Sequence, residues 1–456
     1  MDSGPAIVWL RDDLRIADNP ALDAAVRLGA PVVVVYVLDD GTDGSRPLGG
    51  ASRWWLHHSL VSLARDLEAI GGRLTLRRGD VAGQITSLAE ETGAVAVYWN
   101  RRYTAARDRD ADLKHSLRAR GLDVHSFQAS LLFEPWTVTT GDGKPYKVFT
   151  PFWRACQERE SPREPLPAPS HLENPGVLPA SDDLTHWQLL PTAPDWAGGL
   201  AERWEPGETS AHRMLDEFAN SHLADYARRD EPAVPATSHL SPHLRFGEVS
   251  PFQVWHRLHG KLDSTARANV APFLRQLVWR EFNWNMLFHS PDVATKNIRP
   301  EFDDFPWAEP ARAEVAAWKR GETGIPLVDA GMRELWTTGY MHNRVRLVAA
   351  SFLVKNLLVD WRIGEQWFWD TLVDADEANN PGNWQWVAGS GADAAPYFRV
   401  FNPELQAAKF DPDGEYRARW LPDNELATPP IVDLAESRRA ALAAYAAMRS
   451  GTPPVE

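Results

Sequence analysis

Cysteine is nearly missing from this chain. Cys156 stands alone among 456 residues, so no intramolecular disulfide and no thiolate metal cluster can form. Long apolar runs are missing too: none reaches the roughly 18 consecutive apolar residues of a membrane helix. The start, Met1-Asp2-Ser3-Gly4-Pro5, has neither the basic flank nor the apolar core of a signal peptide. A cytoplasmic location with no membrane partner is therefore expected. Positive charge is in deficit, with 48 Lys and Arg against 62 Asp and Glu and a net charge of −14. That excludes a surface coated with cations for non-specific nucleic-acid binding, though not a local basic face. No G-x-G-x-x-G fingerprint follows the first apolar run, so a dinucleotide in the usual Rossmann position is not expected. Asp374 and Asp376 lie close together, but the histidines sit elsewhere and no glutamate completes a ligand set, so no metal is expected.

What is present is an ordinary globular composition, 44% hydrophobic and 24% charged, in a chain long enough for two or three domains. Tryptophan is the exception, at 21 residues. Most of these belong to packing, yet Trp367-Phe368-Trp369 and Trp384-Gln385-Trp386 suggest stacking or electron transfer as well. Apolar runs at Ala6–Leu10, Pro31–Leu38, Arg73–Leu76 and Ala94–Trp99 read as strands, alternating with helical patterns at Ser52–Ile70 and Ala105–Arg120. Such alternation predicts an α/β domain with a doubly wound parallel sheet over residues 1–133. Residues 134–208, rich in proline, read as a partly ordered connector. Residues 209–456 read as all-helical, with helix starts at Ser241-Pro242 and Ser250-Pro251 and an alanine-rich helix at Leu434–Met448.

Within the helical part, Gln276, Trp279, Arg280 and Asn283 fall at helical spacing on one face. A face of amide, indole and guanidinium needs polar partners and is no simple core stripe. Asn343 and Arg344 both neighbour Leu347 on a second helix, with Arg346 on another side. Asp374, Asp376, Asn379, Asn380, Trp384 and Trp386 then crowd carboxylates, amides and indoles together.

These motifs resemble the photolyase/cryptochrome family, and the likeness covers nearly the whole chain. It begins at Val8-Trp-Leu-Arg-Asp-Asp-Leu-Arg15 with Asp18-Asn-Pro-Ala-Leu22. It continues through Trp279-Arg-Glu-Phe282, Val328-Asp-Ala-Gly-Met-Arg333 and Met341-His-Asn-Arg344, and ends at Asn380 to Trp386 and Ala394-Ala-Pro-Tyr-Phe-Arg399. The resemblance implies FAD held non-covalently in the helical domain. Tyr226 and the segment Thr237, Ser238, His239, Leu240 and Ser241 match the family's phosphate-binding stretch, where hydroxyls and backbone N–H groups suit a pyrophosphate. Arg280 and Asn343 match positions beside flavin and lesion. Asp374 matches the partner of Arg346, Asp376 a flavin-ring contact, and Asn380 the residue facing the reactive ring nitrogen.

Trp384, Trp361 and Trp307 match an electron-hopping chain from flavin to surface. Trp279 and Trp386 match the pair that brackets a flipped-out dimer, where indoles replace lost base stacking. Gln276 and Leu347 fall at lesion contacts, and Arg344 and Arg399, with Lys409 as a further candidate, at flanking phosphates.

Two positions depart from the family's pattern. Members that repair cyclobutane dimers usually carry glutamate where this chain has Gln276 and methionine where it has Leu347. Glutamine there is found in (6-4) photolyases and animal cryptochromes, but those carry a second histidine where this chain has Asn343. The resemblance thus implies a deoxyribodipyrimidine photo-lyase, a carbon–carbon lyase acting on ultraviolet-damaged DNA as a monomer. In it, excited reduced FAD gives one electron to a cyclobutane dimer. The alternatives are a cryptochrome-like blue-light receptor, and a photolyase for (6-4) or single-stranded lesions. A receptor is expected to carry a long C-terminal extension, and about 36 residues follow Trp420. A second, antenna chromophore, folate or 8-hydroxy-5-deazaflavin, is expected in the α/β domain. Asn100 to Arg107 lacks the Asn-Glu pair of one folate-binding subgroup, and Arg53, expected near the sheet's carboxyl edge, is a candidate contact.

Overall fold

The computed structural model describes residues 4–39, 41, 46–309, 312–394, 398–421 and 429–450. Strands β1 (Ala6–Leu10), β2 (Val32–Leu38), β3 (Leu74–Arg78), β4 (Ala96–Asn100) and β5 (Asp123–Phe127) form one sheet in the order β3-β2-β1-β4-β5. Every neighbouring pair is parallel. Helices α1 (Pro20–Arg27), α2 (Gly50–Ala69), α3 (Val81–Thr92) and α4 (Arg107–Ala119) connect the strands. The period-2 alternation of strand side chains sorts them onto two cores. Ala6, Val8 and Leu10 pack with α1 and α2, whereas Ile7, Trp9, Val33, Val35 and Val37 pack with α3 and α4. The doubly wound parallel sheet is thus present, with strand bounds within two residues of the sequence pattern. β5, α1 and α3 were not anticipated. β5 reads Asp-Val-His-Ser-Phe and buries only Val124 fully, because it is an edge strand with too little apolar signal to stand out.

The proline-rich stretch after the sheet contains α5 (Phe149–Gln157) and α6 (Gly198–Arg203). Between them, Leu172 donates to Ile70 O, Asp182 to Leu76 O, and Glu173 O accepts from Val32, so the connector is stitched along the sheet's edges. Prolines remove N–H groups and prevent a helix there, and neighbouring strands and helices satisfy the groups that remain.

The rest is helical: α7 (Glu208–Glu217), α8 (Ser241–Phe246), α9 (Pro251–His259), α10 (Ser264–His289), α11 (Arg312–Arg320) and α12 (Pro326–Thr338) come first. α13 (Asn343–Ser351), α14 (Trp361–Thr371), α15 (Asn379–Ala388), α16 (Pro403–Phe410), α17 (Glu415–Trp420) and α18 (Leu434–Ser450) follow. Ser250 caps α9 in a capping box with Gln253. Ser241 does not cap α8. It is already helical, follows Leu240 at the cap position, and sends its hydroxyl elsewhere.

The two halves meet in a buried polar seam at the carboxyl edge of β1. Arg15 donates to Gly247 O, and Leu14 N to Phe246 O. Arg245 reaches back to Asp12 at 2.7 Å. Glu208 accepts from Ile16 and Ala17, and Trp55 Nε1 donates to Glu248, which also holds His243. Asp18, fully buried at φ +50°, accepts from Arg163, Leu166 N and Ser250 Oγ. Within the Trp-Leu-Arg-Asp-Asp-Leu-Arg motif, Asp12, Leu14 and Arg15 thus dock the helical half, whereas Trp9, Arg11 and Asp13 are engaged inside the sheet domain. Asp18→Ala strips three donors of their acceptor and is expected to lower the unfolding free energy by about 2–4 kcal/mol. Asp18→Asn, which tolerates positive φ and keeps an acceptor oxygen, is expected to cost roughly half as much. Urea denaturation measures both.

Candidate functional site

Ser241 starts the site. Its Oγ donates to Asp374 Oδ2 at 2.6 Å, and Arg346 clamps the same carboxylate with two bonds of 3.0 and 2.9 Å. Arg346 Nε also donates to Met341 O, which fixes the fork. A planar guanidinium matched to a carboxylate is geometrically specific, so α8, α13 and the turn before α15 are held in one arrangement. Arg245 adds a bond from α8 to Ala375 O in that turn. Thr237, Ser238 and His239 form the approach to α8, with half-buried side chains, and Leu240 is buried. His239 adopts φ +51° and packs against Tyr340 and Trp204. Burial lowers its imidazole to about 3 and raises the Tyr340 phenol to about 12. Tyr226 is buried among Phe218 and Phe273.

α15 carries the second part. Asp376 accepts from Ala378 N and from the backbone and side chain of Asn379, and Asn283 of α10 donates to Asn379. Asn380 directs Nδ2 at Glu365, bonding Oε1 at 2.7 Å and the backbone O at 3.0 Å. Glu365 is 1% exposed and receives both guanidinium nitrogens of Arg46 at 2.6 and 2.8 Å. Neither Glu365 nor Arg46 was singled out from the sequence, because no local pattern joins residues 319 positions apart.

Trp384 and Trp361 are buried in one apolar cluster of the helical half, and Trp307, half-buried, packs on its edge and on Phe305. Trp384 and Trp361 are both almost fully buried, and Trp307 is the more exposed of the three. Gly364 makes room for Trp384: a Cβ there would lie 2.1 Å from the indole. Trp361 Nε1 donates to Asn297. Trp384 also touches Phe368 and Trp318, at centroid distances of 4.9 and 6.2 Å.

On the outer face, Gln276 and Asn343 are exposed, and Trp279, Leu347 and Trp386 are half-buried. Trp279 is backed by Phe149, fully buried, at 3.7 Å between centroids and 6° between planes. Phe149 comes from the proline-rich stretch, where only its place near Trp279 in the fold could reveal it. Arg399 lies 6.0 Å from the Trp386 ring. Arg344 pairs with Asp230 at 2.9 Å and lies over Phe410, beside which Lys409 also sits. Arg280 turns toward the sheet domain and donates to Ser130 O. Residues 395–397 of the last motif lie outside the described residues.

The sheet's carboxyl edge opens a cleft of about 640 Å³ lined by Asp39, Asp80, Arg102, Arg109, Asp110 and Arg120 among others. Arg53 is not among the lining residues. It is exposed on α2 and donates to Gln188 O, since the helix carries it away from the strand ends. No helix among the described residues is long and apolar enough to cross a membrane, and none of them form a cluster of three or more metal-ligating side chains.

The residues fit a polar, phosphate-bearing ligand. Thr237 and Ser238 offer hydroxyls, the Ser241 proton being already given to Asp374, and Arg346 is a guanidinium fixed by the same carboxylate. Two buried nitrogens, His239 Nδ1 and Trp384 Nε1, have no partner among the described residues; buried polar atoms are ordinarily satisfied. His342, which caps α13, supplies a pH test. Its burial lowers the imidazole to about 4, so it is neutral in the fold. An unfolded histidine titrates near 6.5, so this contribution is complete above that pH and is lost as pH falls toward 4. Relative to His342→Gln, the wild-type unfolding free energy is expected to fall by about 1.4 kcal/mol per unit over that window. Urea titrations at stepped pH measure it.

Comparison with known proteins agrees with this geometry. Residues 6–170 match the DNA photolyase family model, and residues 273–429 match the FAD binding domain of DNA photolyase. The chain is 48% identical to a deoxyribodipyrimidine photo-lyase of Agrobacterium fabrum, over 99% of this chain and 100% of that one. It is 38% identical to cryptochrome-1 of Arabidopsis thaliana, over 92% of this chain and 63% of that one. A crystal structure of a bacterial class III photolyase from Agrobacterium tumefaciens superposes with a TM-score of 0.93 at 48% identity, covering 99% of this chain and 98% of that one. This chain therefore belongs to the DNA photolyase family and carries its FAD-binding domain in the helical half.

Proposed function

We propose that the protein repairs cyclobutane pyrimidine dimers in ultraviolet-damaged DNA under blue or near-ultraviolet light. The carrying observation is the half-exposed pair Trp279 and Trp386, one of them backed by the buried ring of Phe149. Large indoles left open to solvent on a polar helix face suit a base taken out of its stack. In this reading residues 1–133 are the antenna domain, 134–208 the connector, and 209–456 the flavin- and DNA-binding domain.

Thr237, Ser238, His239, Leu240 and Ser241 hold the pyrophosphate through hydroxyls and backbone N–H groups, with Tyr226 beside them. Arg346, fixed by Asp374, and the residues Asp376, Arg280, Asn343 and Asn380 surround the ring system. Fully reduced FAD, when bound and excited, supplies the single electron that opens the dimer and takes it back afterwards. No protein nucleophile is needed, so the chain's work is orientation and exclusion of water. Gln276 and Asn343 donate amide N–H groups to pyrimidine carbonyls, and Leu347 gives an apolar contact. Arg344, Arg399 and Lys409 take the flanking phosphates. Such a local set of cations binds DNA although the whole chain is acidic, and its contribution weakens as salt rises. Trp384, Trp361 and Trp307 return electrons to oxidised flavin and take no part in the repair step.

Mixing photoreduced protein with a duplex carrying one thymine dimer, illuminating it, and counting restored thymines against a dark control tests the reading. Light-dependent restoration supports it. No restoration with reduced flavin bound overturns it and turns attention to (6-4) lesions or light signalling. Trp279→Ala is expected to weaken binding of the dimer-containing duplex by about 1–3 kcal/mol, measured by fluorescence anisotropy. Trp384→Phe is expected to abolish light-driven reduction of oxidised flavin while leaving restoration by chemically reduced protein intact.

A further inference from the structure

Asn380 has two amide hydrogens, and both are engaged: one acceptor is Glu365 O, the other Glu365 Oε1. A backbone carbonyl only accepts, so the nitrogen of this amide must face it and the assignment is not interchangeable. Oδ1 is left as the acceptor that Asn380 presents on its other side. The second acceptor, Glu365 Oε1, has its own anchor. It is shared with Arg46, whose two nitrogens grip both carboxylate oxygens.

Arg46 belongs to the sheet domain, and its position is set by a close seam between the start of α2 and α14. Its guanidinium lies 3.9 Å from the Trp369 ring centroid, and Trp369 Nε1 donates to Pro47 O. Gly49 is pressed on the same helix, since a Cβ there would fall 2.1 Å from Trp369 O. Gly50 N donates to Asp370. A cation is thus carried from one half of the molecule into the other and placed on a carboxylate that is almost wholly buried. A buried charge without a partner is costly, and this cation both pairs Glu365 and fixes its position.

We propose that Arg46 is a positioning residue for the flavin, acting through Glu365 to fix and polarise the Asn380 amide so that Oδ1 accepts from the ring. The proposal rests on the reading that Asn380 adjoins the ring. Without Arg46, Glu365 loses the anchor that orients Asn380 and leaves a negative charge uncompensated, which opposes an electron-rich reduced ring. Both effects make reduced flavin easier to oxidise.

Dark reoxidation of the bound, photoreduced flavin in air, followed by visible absorption, tests this in a double-mutant cycle of Arg46→Met and Glu365→Gln, with Arg46→Lys as the conservative variant. Arg46→Met is expected to speed reoxidation roughly tenfold, Arg46→Lys far less, and Arg46→Met to add little once Glu365 is Gln. An unchanged rate, or equal acceleration in both backgrounds, overturns the proposal in favour of plain packing on Trp369. Should Met at position 46 release the flavin, Arg46→Gln takes its place in the cycle. Asn380→Ala and the thymine-restoration assay on wild-type protein separate the failures. If Asn380→Ala leaves reoxidation unchanged, the placement of Asn380 fails; absence of restoration removes the repair function alone.

Discussion

Arg245 is the joint on which the rest depends. Its guanidinium binds Asp12 at the end of β1 and Ala375 O in the turn that carries Asp374 and Asp376. Burial alone would raise the Asp12 carboxyl, but Arg245, Arg102 and Arg11 outweigh it and hold that carboxyl below its usual range. One side chain therefore relates the sheet domain, α8 and the turn before α15. A cation in such a place is useful for geometry more than for net energy, since desolvation offsets much of the Coulomb gain. Shifting it would move Ser241, Asp374 and Asp376 relative to one another.

The same device recurs at three further contacts between distant segments. Asp18 gathers Arg163, Leu166 and Ser250; Glu208 gathers Ile16 and Ala17; Glu365 gathers Arg46 and Asn380. Each of these carboxylates takes at least one donor from a different part of the chain from its own, Ser250 for Asp18, Ile16 and Ala17 for Glu208 and Arg46 for Glu365, so misdocking leaves several polar groups unpaired at once. An acidic chain has carboxylates in excess for this purpose.

The tryptophans divide along similar lines. Trp9, Trp55 and Trp99 are core residues under the sheet. Trp384 and Trp361 are equally buried in the helical half, yet Trp384 Nε1 lacks a partner among the described residues where Trp361 Nε1 has Asn297. Trp279, stacked on Phe149, and Trp386 are only half-buried.

Alternating apolar runs were enough to specify the sheet and its helices, because period-2 and period-3.6 patterns are local consequences of backbone geometry. Edge strand β5 escaped, since an edge needs little apolar surface. Ser241 was legible as a helix start, but its hydroxyl found Asp374, a partner 133 positions away. The motifs carried the pairing of Arg346 with Asp374, which the geometry forms. What sequence could not show is contact across the two halves: Arg46 on Glu365, Phe149 behind Trp279, Arg245 between Asp12 and Ala375. The composition and motifs of this chain determined its two-part architecture and the chemical inventory of its site, since both follow from residue types at local spacing. Only the tertiary structure decided which carboxylate each cation meets and which amide nitrogen is already taken, because those depend on distances between segments that no spacing along the chain encodes.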